Sequence, residues 1–138
     1  SNPTCTAELR PTRRTRTVAL VLIVDDSPTD VHVMQQALEK GGFSTAAAGD
    51  GDEAIRKARE LRPDLILMDI VMPGLNGFQA TRELSSDPET RSIPVIMVSS
   101  KAQESDRVWG LRQGAVDYIV KPVSAEQLVR KAHAALAV

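Results

Sequence analysis

The sequence predicts an α/β protein, a doubly wound parallel sheet with helices on both faces. Short apolar runs alternate with amphipathic stretches of about ten to fourteen residues, the pattern of βα units. Most of the runs are continuously apolar rather than alternating, as expected of strands buried on both faces. Helix-starting and helix-stopping residues fall between them.

The runs are Val18 to Val24, Phe43 to Ala47, Leu65 to Met68, Val95 to Val98 and Val116 to Val120. Four read as strands buried on both faces; the second, with its alanines and Thr45, reads as an edge strand. The first helix starts at Ser27-Pro28, an N-cap followed by a proline whose missing N–H costs nothing there. It places Val31, Met34 and Leu38 on one face and ends at Gly41. Ala54, Ala58 and Leu61 mark a second helix ending near Pro63, and a third runs from about Gly77 to near Pro88. The fourth starts near Glu104, is expected to turn Val108 and Leu111 inward, and stops at Gly114; the fifth aligns Leu128, Ala132 and Ala135.

The chain has 138 residues, enough for a single core that buries roughly two thirds of the unfolded surface. Lys plus Arg number 17 against 18 Asp plus Glu, so net charge supplies no argument for nucleic acid or an anionic membrane. Cys5 stands alone and cannot form an internal disulfide. No apolar stretch approaches the ~20 residues of a membrane helix, no secretory h-region opens the chain, and a cytoplasmic location is expected. Residues 1–17, with Arg10, Arg13, Arg14 and Arg16 and no helical or strand period, read as a solvated, flexible tail before a domain at 18–138. The chain begins with Ser rather than Met, which leaves open an excised fragment of something larger.

In an open parallel sheet with right-handed crossovers, ligands bind beyond the carboxyl ends of the strands. The residues at those ends are Asp25 and Asp26, Asp69, Ser99 and Ser100, and Lys121. Carboxylates gathered there repel one another unless a cation lies between them. Oxygen ligands with no nearby His or Cys favour Mg²⁺, or Mn²⁺, over zinc or copper. Such a site suits phosphoryl chemistry, with one carboxylate as nucleophile, Lys121 as a fixed cation and a serine hydroxyl donating to a phosphate oxygen. Asp69 is the best nucleophile, since it stands alone at a central strand end opposite the aspartate pair. Helix capping explains Asp26 or Ser27 but not Asp69, which is followed by Met72-Pro73-Gly74 before any helix begins.

Four motifs stand at these strand ends: Leu22-Ile23-Val24-Asp25-Asp26-Ser27, Leu67-Met68-Asp69-Ile70-Val71-Met72-Pro73-Gly74-Leu75-Asn76-Gly77, Val98-Ser99-Ser100 and Tyr118-Ile119-Val120-Lys121-Pro122. Together they resemble the receiver domain family of bacterial response regulators, over Val18 to about Val138. The resemblance implies a flavodoxin-like (βα)5 sandwich with strand order 2-1-3-4-5, a signalling domain rather than an enzyme, though one able to catalyse loss of its own phosphate. It implies phosphorylation of Asp69 by a histidine kinase of the chemosensory type, with Asp25, Asp26, Asp69 and the main-chain carbonyl of Val71 holding Mg²⁺. Ser99 takes the switch hydroxyl role, Lys121 pairs with the phosphate before a cis Lys121-Pro122 bond, and Tyr118 is the aromatic that moves with the switch. An unidentified partner would read the face of the fourth helix, fifth strand and fifth helix, and the chain would be a monomer or a weak, phosphorylation-dependent dimer. The wording of Met68 to Leu84 and Ser99 to Val123 resembles regulators of type IV pilus twitching motility. The alternative is a receiver fragment of a larger DNA-binding regulator or hybrid kinase.

Other residues carry plainer readings. Tyr118 equally suits packing at the sheet edge, Trp109 suits a surface contact, and His32 and His133 read as exposed helix residues. Gly74, Asn76 and Gly77 read as turn chemistry. Val71 and Lys101, two residues past Asp69 and Ser99, are placed to shield or admit attacking water. A phosphatase that turns over substrate through an aspartyl phosphate needs a second carboxylate two residues after the nucleophile, where Val71 stands.

Overall fold

The computed structural model describes residues 17–137. The expectations for the tail up to residue 16, including Cys5, Arg10, Arg13, Arg14 and Arg16, lie outside the described residues. The elements follow in the order β1 (Leu20–Val24), α1 (Pro28–Lys40), β2 (Ser44–Ala48), α2 (Gly51–Leu61), β3 (Leu65–Met68), α3 (Gly77–Ser86), β4 (Val95–Ser99), α4 (Glu104–Arg112), β5 (Asp117–Val120) and α5 (Ala125–Leu136). The strands pair in parallel in the order β2-β1-β3-β4-β5, as the sequence predicts. The register aligns Val24 with Met68 and Met68 with Met97, so the central strands finish level.

Local chemistry sets the helix boundaries. Ser27 caps α1 by accepting from the Asp30 N–H, with Pro28 in the first turn and Gly41 at the end. Asp50 and Asn76 cap α2 and α3 in the same way, and Arg62 closes α2 in the left-handed region just before Pro63. Two apolar layers result. Leu22, Ile66, Met68 and Met97 pack on one face against Ala54, Ala58, Ala80 and Leu84, and Ile23, Leu67, Ile96 and Val98 pack on the other against Met34, Leu38, Leu128 and Ala132. Continuous runs thus become strands buried on both faces. Among the described residues no helix is long and apolar enough to cross a membrane.

Two expectations are corrected at the β5 side. The fifth run is not buried throughout: Val116 and Val120 are 55% and 42% exposed. β5 pairs only with β4 and forms the second edge of the sheet. Val108 and Leu111 do not face inward; both are exposed, as is Trp109. The residue of α4 that meets the sheet is Gly110, and at about 100° per residue Val108 and Leu111 are then turned well away from it. A Cβ on Gly110 would lie 3.2 Å from Met97 Cγ and 3.5 Å from Tyr118 Cδ2, so the helix backbone itself takes the place of a side chain.

Candidate functional site

Parallel ladder bonds continue one step beyond the strands and set the acidic residues side by side. The Asp25 N–H donates to the Ala48 carbonyl at 3.0 Å and the Asp69 N–H to the Val24 carbonyl at 2.9 Å. On the other side of the sheet the Lys121 N–H donates to the Ser99 carbonyl at 2.9 Å, just before the cis Lys121-Pro122 bond. Asp25 and Asp69 are buried, 3% and 8% exposed, while Asp26 faces solvent.

Asp25, Asp26 and Asp69 each offer an oxygen, and these oxygens lie within 4.8 Å of one another. That is an oxygen-only set of a size that a hard divalent cation spans. Lys121 Nζ reaches Asp25 Oδ2 and Asp30 Oδ2, each at 2.8 Å, and stands 3.5 Å from Asp69 Oδ2. The second oxygen of Asp25 accepts from the Ser27 N–H at 2.9 Å, and that of Asp69 from the Ile70 N–H at 2.8 Å.

These surroundings act on the charges unequally. Burial, and then the charge of Asp25, push the Asp69 carboxyl above its ordinary value, against the opposing pull of Lys121 and the Ile70 N–H. Burial alone would favour neutral Lys121, but hydrogen bonds to Asp25 and Asp30 and the charges of Asp69 and Asp25 outweigh it and hold the ammonium above its usual value. The ammonium therefore stays charged throughout the neutral range.

Ser99 is fully buried at the end of β4, and Ser100 is exposed. Ser99 Oγ accepts from the Lys101 N–H at 3.2 Å, and the Tyr118 hydroxyl donates to the Lys101 carbonyl at 2.6 Å. The Tyr118 ring lies inside, 7% exposed. Burial raises its phenol above the ordinary value, with the Ser99 hydroxyl opposing. The loop after β4 thus connects Ser99 to Tyr118. Val71 turns its side chain outward at 60% exposure. His32 and His133 are exposed on α1 and α5, and the His133 ring lies 4.9 Å from that of Phe43.

Two residues of the site escaped the sequence reading. Asp30, on the first turn of α1, is the second short partner of Lys121. Its only signal was an acid three residues after an N-cap serine, which ordinarily indicates helix capping. Gly77 is more than turn chemistry. Its N–H donates to the Ile70 carbonyl at 2.9 Å, and a Cβ there would overlap the Asp69 carbonyl, with the carbonyl carbon of Asp69 and Cα of Ile70 at 2.8 Å. Only glycine lets the start of α3 close on the back of Asp69.

Residues 21–133 match the family model of the response regulator receiver domain. The chain belongs to that family. The receiver domain is 54% identical over 120 residues to Protein PilH of Pseudomonas aeruginosa, a match covering 87% of this chain and 99% of PilH. It is 40% identical over 116 residues to the DNA-binding response regulator MtrA of Mycolicibacterium smegmatis, and there the match spans only 50% of the relative. Among solved structures, the chemotaxis protein CheY4 of Vibrio cholerae superposes with a TM-score of 0.82 at 29% identity, covering 87% of this chain and all of that one (100%). The receiver domain of a sensor histidine kinase of P. aeruginosa, solved with a magnesium ion coordinated in its active-site cleft, gives a TM-score of 0.82 at 32% identity, covering 88% and 100%. The chain is therefore a two-component signalling domain of PilH-like type.

Proposed function

We propose that this receiver, spanning residues 18–138, accepts a phosphoryl group on Asp69 from a histidine kinase of the chemosensory type and thereby regulates type IV pilus twitching motility. The observation that carries the reading is the arrangement at Asp69: a buried carboxylate with two further aspartates and the Lys121 ammonium around it. In the transfer, an Asp69 oxygen forms the new bond to phosphorus as the bond from phosphorus to the kinase histidine nitrogen breaks. The nitrogen keeps the bonding pair.

Asp25, Asp26, Asp69 and the Val71 carbonyl would hold Mg²⁺, with Mn²⁺ as a substitute, and the cation supplies neutralisation of charge on the transferring group. Lys121 brings a second positive charge to the same place. Ser99, freed from the Lys101 N–H, donates to a phosphoryl oxygen, and the link from Lys101 to Tyr118 carries that change toward α4 and β5. The reading of the output face as α4, β5 and α5 is supported by the outward apolar residues Val108, Trp109, Leu111, Val116 and Val120.

Purified chain with Mg²⁺ and acetyl phosphate is expected to gain one acid-stable, base-labile phosphoryl mass, and Asp69→Asn to gain none. No gain in the parent chain would overturn the reading. A strain carrying only Asp69→Asn is expected to show altered twitching zones at unchanged protein level. A second reading, a receiver piece of a larger DNA-binding regulator, draws on relatives such as MtrA, of which the chain spans half. The higher identity to PilH, 54% against 40% to MtrA, favours the first.

A further inference from the structure

Asp30 has been diverted from the task its position prescribes. An acid three residues after a serine N-cap ordinarily reaches back to the N–H of that cap. Here the Ser27 N–H donates to Asp25 Oδ1 at 2.9 Å instead, while Ser27 Oγ accepts from the Asp30 N–H at 3.3 Å. The Asp30 carboxylate is left to accept from Lys121 at 2.8 Å, a bond as short as the one Lys121 makes to Asp25 and shorter than its 3.5 Å approach to Asp69.

The two close partners of Lys121 differ in kind. The Asp25 side chain is 0% exposed and that of Asp30 is 43% exposed. Water can take the place of Lys121 on Asp30 at little cost, but not on Asp25. An ammonium has three N–H groups, and two are already committed to short bonds.

We infer that Asp30 is a positioning residue for Lys121, holding the ammonium off Asp69 until an incoming phosphoryl group draws it away. The inference rests on Asp69 being the phosphoacceptor. With Lys121 drawn to Asp30, an anionic phosphodonor arriving at Asp69 meets a less available cation than it would if Lys121 were paired with Asp25 alone.

The test is Asp30→Asn, which keeps size and polarity and removes the charge. With acetyl phosphate and saturating Mg²⁺, the rate of Asp69 phosphorylation is expected to rise about two- to fivefold, the scale of one partly screened charge pair. In a Lys121→Ala chain, itself slower, the same substitution is expected to change the rate hardly at all. An unchanged rate in the parent background overturns the inference. So does an equal rise in both backgrounds, which would make Asp30 a source of general repulsion and not a holder of Lys121. A double-mutant cycle on melting temperature needs no phosphorylation: non-additive shifts for Asp30→Asn and Lys121→Ala are expected, and additive shifts overturn the pairing. If the parent chain takes up no phosphate at all, the function proposed for Asp69 fails, while this cycle still decides whether Asp30 holds Lys121.

Discussion

Just beyond the carboxyl ends of β1 and β3, strands whose side chains are almost all buried, Asp25, Asp26 and Asp69 gather with Asp30 of α1 and with Lys121, which follows β5, whereas apolar side chains of α4 and of the ends of the β5 run face outward. α1, which borders the first region, has a serine cap, a proline in its first turn and buried Met34, Ala37 and Leu38. α4, in the second, has no side-chain bond at its N-cap Gln103 and buries only Gly110. The first region is held by packing and by fixed hydrogen bonds, so its charges stay where chemistry needs them. In the second, α4 has few buried contacts to lose, although Tyr118 and Ile119 of β5 beneath it are buried. Under the proposed function, in which a signal is received at the first region and displayed at the second, both kinds of construction are needed.

The largest expected difference is in core truncation. Leu22→Ala, on β1, should cost about 2–5 kcal/mol in urea unfolding, whereas Leu111→Ala should stay within about 0.5 kcal/mol. Comparable losses at both positions would mean that α4 is packed as firmly as β1, and the contrast would be gone.

A pH series sharpens the account of the acidic region. Because burial and Asp25 raise the Asp69 carboxyl, Asp69 favours the folded state while protonated, and that contribution is lost as pH rises through its folded-state value. In metal-free buffer Asp69→Asn should therefore be more stable than the parent chain at neutral pH. The two should converge as pH falls below about 4, the ordinary carboxylate value. Denaturation midpoints at several pH values read this directly, and a constant offset would count against a raised Asp69.

The smallest effect is expected at the start of α4. Gln103→Asp supplies the missing cap and should stabilise the chain by about 0.5–1 kcal/mol, whereas Ser27→Ala, removing an existing cap, should cost a similar amount. No gain from Gln103→Asp would show that the α4 terminus is already satisfied by other means.

Much of this was legible in the chain. Continuous runs ending in Asp25, Asp69, Ser99 and Lys121 placed the site, since a parallel sheet brings the residues after its strands to one edge whatever the loops do. Ser27-Pro28 and Gly41 marked α1 because capping is local. Val108 and Leu111 misled because an apolar residue in a short helix does not say which way it turns, and here the neighbouring glycine took the inner position.

What the sequence determined alone was the order of elements, the core strands and the kinds of group at the strand ends, all of which depend on near neighbours and on alternation of polar and apolar residues. Only the tertiary structure decided that Asp30 would abandon its cap for a lysine 91 residues away, that Gly77 would close on the back of Asp69, and that Tyr118 would lie inside. Those outcomes turn on distances of a few tenths of an ångström between segments remote in the chain, where competing partners differ by little energy and only the assembled sheet determines which of them are within reach.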